Sequence, residues 1–167
     1  MFKSLYLILL FLINFNYSEN NPISWSTSVI DNGNNEYTLV TKGVIKKGWR
    51  LYAQSLPDGG ALPTEFIFSD KSLFSFYGNV VEPIPITKFD PIFNMDQSYF
   101  IDEITYYQDV TLKENYSNDI ISQKLFYQVC DDRVCIFRDV SLEFNLKSNS
   151  FISLKSFDYN SVSSDLI

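Results

Sequence analysis

Leu125-Phe126-Tyr127-Gln128-Val129-Cys130-Asp131-Asp132-Arg133-Val134-Cys135-Ile136-Phe137-Arg138-Asp139-Val140-Ser141-Leu142-Glu143-Phe144 reads as two strands around a four-residue link. Aromatic and β-branched residues crowd both arms, as in half-buried strands. Residues bordering such a link face each other across an antiparallel hairpin, with Cα atoms roughly 4.5–5.5 Å apart. A disulfide closes over that distance without much strain. Cys130 and Cys135 can therefore bond when oxidised and stand as neighbouring thiols when reduced. On the residues alone three uses are open: redox exchange, a staple that only tightens the hairpin, and metal binding. The staple is weakly motivated, because closing a loop of about six residues contributes only ~2 kcal/mol by chain entropy. Asp131 and Asp132 put negative charge beside the pair, which raises a thiol's pKa, and Arg133 offsets part of this. The pair reads as a disulfide awaiting another protein's thiolate, not as a strongly activated attacker. Asp131 and Asp132 have a second reading as ordinary turn formers.

The pattern continues upstream. Ile23 to Ser28 and Glu36 to Ile45 read as strands, and Asp31-Asn32-Gly33-Asn34-Asn35 is the kind of cluster that joins antiparallel neighbours. Trp49 to Tyr52 begins another strand, Pro57-Asp58-Gly59-Gly60 is a loop, and Thr64 to Ser69 alternates apolar and polar residues. Phe74 to Val81 is a further candidate. Glu82 to Asn94 carries Pro83, Pro85 and Pro91, which marks a connection or an edge. Tyr99 to Leu112 is strand-like, with a break near Asp102-Glu103. No segment carries a sustained helical stripe. Seven to nine short strands with frequent turns predict an all-β fold, a two-layer antiparallel sandwich. Residues 22–146 form the predicted domain, and 147–167 a polar tail that frays or packs as a final strand.

Composition narrows the chemistry. The 167 residues suit one domain, with 46% hydrophobic and 17% aromatic residues. The net charge of −7 repels phosphate and argues against a nucleic-acid role. There is no histidine, which removes histidine triads, ligands and general bases together. Two cysteines alone cannot build an ordinary structural zinc site, and no cofactor is expected. At the N-terminus, Lys3 precedes the apolar run Leu5 to Ile13, and polar residues follow at once. This is the order of a secretory signal, read here as residues 1–18. The run is short for a span, which needs roughly 20 apolar residues, so membrane contact would come only from an uncleaved signal. The expected location is periplasmic or secreted, an oxidising setting that permits a disulfide.

The sequence resembles the N-terminal periplasmic domain of the thiol:disulfide interchange protein DsbD. Ile45-Lys46-Lys47-Gly48-Trp49-Arg50-Leu51-Tyr52 resembles a strand start of that family. Asp58-Gly59-Gly60-Ala61-Leu62-Pro63-Thr64 with Phe66 and Phe68 is similar to members of a Bacteroidetes-like branch. Glu82-Pro83, Tyr99-Phe100 and Tyr127-Gln128-Val129-Cys130-Asp131-Asp132 with Cys135 follow in the family's order. The resemblance implies an immunoglobulin-like sandwich whose cysteine pair takes electrons from a thioredoxin-like donor and passes them to exported thiol–disulfide proteins. It implies that Cys135 forms the mixed disulfide and Cys130 resolves it. Tyr52 falls on a tyrosine that lines the family's site, and Tyr127, Asp131 and Asp132 are expected beside it. The family also shields its disulfide with an aromatic cap, for which Phe93 and Met95, or Phe76, are the candidates; core packing is the other reading for Tyr52, Phe93 and Phe76. Ile136-Phe137-Arg138 stand where many relatives carry two prolines, which bears on partner fit. The family's membrane and thioredoxin-like domains have no counterpart here, so a stand-alone module is expected. The rival reading is an exported binding module on the same sandwich with an inert disulfide, since a fold of this kind serves many roles.

Overall fold

The computed structural model describes residues 21–68, 74–114, 116, 118–147 and 152–154. The expected signal segment lies outside them, as do residues 148–151 and 155–167 of the tail. Eleven strands are described, β1 Ile23–Gly33, β2 Glu36–Ile45, β3 Arg50–Tyr52, β4 Glu65–Phe68, β5 Phe74–Val81, β6 Ile86–Asp90, β7 Met95–Phe100, β8 Glu103–Leu112, β9 Ile120–Cys130, β10 Cys135–Asn145 and β11 Ile152–Leu154. One sheet runs β11-β1-β2-β8-β5 and the other β10-β9-β3-β7-β6, with β4 also on β9. The strand pairs are antiparallel. The fold is the immunoglobulin-like β-sandwich expected from the sequence.

Local chemistry sets most of the turns. Asn34 and Asn35 both take left-handed φ, 53° and 60°, and close the β1–β2 hairpin in the tight turn that favours asparagine there. The break foreseen near Asp102 changes sheets: β7 lies in the second sheet and β8 in the first. Asp102 turns that corner with φ 64°, and its carbonyl accepts from the amide of Ile45 at 2.7 Å. The proline-marked segment contains an edge strand, β6. Pro83 and Pro85 precede it and Pro91 follows it, so none of them costs the ladder a donor.

Between the sheets lies a core that includes Trp25, Leu39, Leu51, Tyr106, Leu125, Tyr127, Leu142 and Phe144, all buried. The Trp25 indole meets Tyr127 edge-on at 5.2 Å and Tyr106 at 6.4 Å. Its cross-strand partner is Gly43, where a Cβ would stand 2.7 Å from the indole Cζ3. Only glycine leaves that space.

β9 organises the second sheet. Its Leu125, Tyr127 and Val129 enter the core, so the intervening Phe126, Gln128 and Cys130 face outward. β3 and β4 share one edge of β9 end to end: Arg50 pairs with Cys130, and Glu65 with Phe126. The chain between them, residues 53–64, leaves the sheet as a pinched loop. Thr64 donates its amide to the Ala53 carbonyl at 3.1 Å and its hydroxyl to the Tyr52 carbonyl at 2.6 Å.

Trp25→Ala should cost about 3–5 kcal/mol of stability, since the large cavity it leaves is framed by two sheets that cannot collapse fully. Urea unfolding followed by circular dichroism would read this as a lower midpoint.

Candidate functional site

Cys130 ends β9 and Cys135 begins β10, directly opposite in register. They are joined by a disulfide, with Cα atoms 4.1 Å apart. The bond lies on the outward face of the second sheet. Its two sulfurs differ in access: Cys130 is 0% exposed, whereas Cys135 is half-buried.

The link between them is tied by its own first residue. Asp131 Oδ1 accepts from the amides of Arg133 and Val134, each at 2.8 Å, and the Asp131 amide donates to the Val134 carbonyl at 3.0 Å. Those two backbone donors hold the Asp131 carboxyl below the usual carboxylate range, with the Arg133 and Arg50 charges adding to it. Asp132 points to solvent, its side chain 90% exposed, and pairs with Arg50 Nη1 at 3.2 Å. Arg50 Nη2 also donates to the Asp131 carbonyl at 3.2 Å, and the guanidinium stacks over Tyr99, 5.8 Å from its ring centre. The cation that clasps the link is therefore Arg50 from β3. The charge of Arg133, read from the sequence as offsetting the two aspartates, acts on Asp131 as well.

Around the disulfide, Tyr52 and Ala61 are buried with Cys130, and Leu56, Phe93, Tyr99 and Cys135 pack against them. Tyr52 donates its hydroxyl to Asp90 Oδ2 at 2.7 Å within the buried interior. Burial first, and then the adjoining Asp90 carboxylate, push the Tyr52 phenol well above its ordinary pKa, so it stays a donor throughout the physiological range. Asp90 Oδ1 accepts from the Ile92 amide at 2.9 Å, which starts the turn between β6 and β7. Phe93 sits in that turn and meets the Tyr52 ring edge-on at 5.7 Å. One buried carboxylate thus fixes both Tyr52 and the turn bearing Phe93.

The residue 53–64 loop covers the same face. Gly60 presses on the buried Gln97 amide, where a Cβ would overlap it. The Leu62 amide donates to Gln128 Oε1 at 2.6 Å. Gln128 Nε2 in turn donates to Cys130 Sγ at 3.7 Å.

Of the expected site residues, Cys130, Cys135, Tyr52 and Phe93 come together, with Asp131 and Asp132 in the adjoining link. Tyr127 does not join them. It stands one residue out of phase with Cys130 on β9 and packs on Trp25 in the core. Met95 opens β7, half-buried, opposite Asp90. Phe76 lies on β5 in the other sheet, paired with Val110. Arg50, Asp90 and Gln128 were not singled out by sequence reading. Asp90-Pro91 carries a visible turn signal and Gln128 has the parity of Cys130, but their partners lie 38 and 66 residues away along the chain.

The family described as "Thiol:disulfide interchange protein DsbD, N-terminal" matches residues 24–147. The chain belongs to that family. Among solved structures, the chain is similar to the N-terminal periplasmic domain of ScsB from Proteus mirabilis, with TM-score 0.57 and 17% identity over 78% of this chain. It spans 49% of that ScsB chain, about half its length. The Neisseria meningitidis DsbD n-terminal domain in the reduced form has TM-score 0.53 and 17% identity over 80% of this chain and 91% of its own. A complex between the DsbD N-terminal and PilB N-terminal domains of Neisseria meningitidis gives 0.52 and 14% over 83% of this chain and 93% of that one. At such identities the likeness is one of fold. No curated protein compared with the chain is a significant match.

The lowered Asp131 pKa has a defined sign. A carboxyl depressed in the folded state stabilises the fold above its ordinary pKa, and that contribution is lost as pH falls through the lowered value. Asp131→Ala should therefore lower the unfolding midpoint at neutral pH, and the gap from the parent protein should close in strong acid.

Proposed function

We propose that this domain is an exported thiol–disulfide exchange protein, passing reducing equivalents from a thioredoxin-like donor to exported partner proteins through Cys130 and Cys135. The asymmetry of the two sulfurs carries the reading: Cys135 is reachable from solvent and Cys130 is sealed. A partner thiolate attacks Cys135 Sγ, a bond forms between them, and the Cys130–Cys135 bond breaks with its electron pair left on Cys130. The partner's second thiol then attacks the mixed disulfide, leaving the partner oxidised and this pair as two thiols. The same steps in reverse reduce an oxidised acceptor.

In this reading Phe93 is the cap. It rests on Tyr52 at the edge of the cluster and limits access to Cys135 until its turn moves. Tyr52 and Asp90 anchor that turn, while Asp131, Asp132 and Arg50 hold the link. A protein partner fits the complex seen between a DsbD N-terminal domain and a PilB N-terminal domain. A periplasmic or secreted location fits both the N-terminal signal pattern and the periplasmic ScsB relative.

Cys130→Ser should leave Cys135 free to trap a mixed disulfide with an oxidised thioredoxin-like protein, seen as a dithiothreitol-sensitive adduct by mass spectrometry. Cys135→Ser should fold and trap far less; wholesale unfolding of that variant would mark the bond as structural. The reduction potential separates the readings as well, because a value below about −300 mV belongs to an inert bond. Phe93→Ala should speed reduction by small thiols several-fold.

A further inference from the structure

Gln128 spans two elements that the exchange chemistry must coordinate. It is buried on β9, two residues before Cys130 and on the same outward face. Its amide orientation is fixed by chemistry. The Leu62 amide can only donate, so the side-chain oxygen must face it at 2.6 Å. The NH2 group is left facing Cys130 Sγ, at 3.7 Å.

Attack at Cys135 places the departing electron pair on Cys130, a sulfur with no exposure to water. A buried anion needs a hydrogen-bond donor in place of solvent. The Tyr52 hydroxyl is engaged on Asp90, and the Arg50 Nη atoms on Asp132 and the Asp131 carbonyl. Arg50 Nε is buried with no hydrogen-bond partner and is the rival donor, whereas the Gln128 NH2 is the group already seated on Cys130 Sγ.

We propose that Gln128 is a positioning residue that makes Cys130 the leaving sulfur, its Nε2–H donating to the thiolate formed as the disulfide opens, with the amide held in place by Leu62. For its catalytic consequence this rests on the exchange reading. The donor role itself is measurable without any partner.

The test uses the full chain carrying Gln128→Glu or Gln128→Met. Gln128→Glu keeps an oxygen for Leu62 while removing the donor and adding charge; Gln128→Met keeps the length and removes both. Each is combined with Cys135→Ser to isolate the Cys130 thiol, and with Cys130→Ser to isolate Cys135. Thiol pKa is read from thiolate ultraviolet absorbance. Arg50, Tyr52, Asp90, Tyr99, Asp131 and Asp132 also surround the pair; they are unchanged throughout, so differences report Gln128. The Cys130 pKa should rise by about one unit in Gln128→Met and further in Gln128→Glu, as expected when a charge-assisted hydrogen bond is lost. The Cys135 pKa should move much less. With both cysteines present, reduction by glutathione should slow roughly threefold, because an exchange rate follows only about half of a thiol's pKa change.

Equal shifts at the two cysteines, or none at Cys130 while the unfolding midpoint drops, would overturn the proposal and leave Gln128 as a loop clamp. A selective Cys130 shift in a protein that exchanges with no thiol partner would uphold the donor role and overturn the shuttle instead.

Discussion

The alternation of side chains along β9 is the constraint on which the site depends. Leu125, Tyr127 and Val129 must enter the core, so Gln128 and Cys130 must leave it. A slip of one residue would drive a disulfide into the aromatic core and put Tyr127 in water. The pairing of β9 with β10 then fixes Cys135 opposite Cys130, and its pairing with β3 fixes Arg50 beside them. Core packing thus determines the placement of chemistry on the opposite face of the same sheet.

On that outward face the domain builds a second, smaller interior. The residue 53–64 loop and the β6–β7 turn cover the disulfide from two directions, and each is held by a buried polar side chain. Gln128 holds the loop through Leu62, and Asp90 holds the turn through Ile92. Both side chains also reach the cluster around the disulfide, Gln128 at Cys130 and Asp90 at Tyr52. Covering elements secured by a few hydrogen bonds can open locally at far less cost than global unfolding. Under the proposed function, such cover would let the disulfide meet another protein's thiol.

Much of the fold was legible because its signals are local. The Asp31 to Asn35 cluster marked a turn between antiparallel strands, the prolines between Glu82 and Asn94 marked a connection or an edge, and the Cys130 to Cys135 spacing fitted a hairpin border. The break at Asp102 was visible, but the change of sheet it makes was not, since a left-handed residue marks a corner without saying where the chain goes next. Tyr127 was misplaced for a similar reason. Closeness to Cys130 in sequence suggested a shared site, whereas strand parity sends neighbours to opposite faces.

The sequence by itself determined an all-β sandwich, the cysteine hairpin and the family. Strand periodicity, turn chemistry and residue spacing are properties of a few consecutive residues. Only the tertiary structure decided which sulfur is sealed, that Arg50 from β3 clasps the link, and that Asp90 and Gln128 govern the covers. Those outcomes depend on burial and on hydrogen bonds between strands and loops far apart in the chain, and no local pattern encodes which distant donor will meet which acceptor.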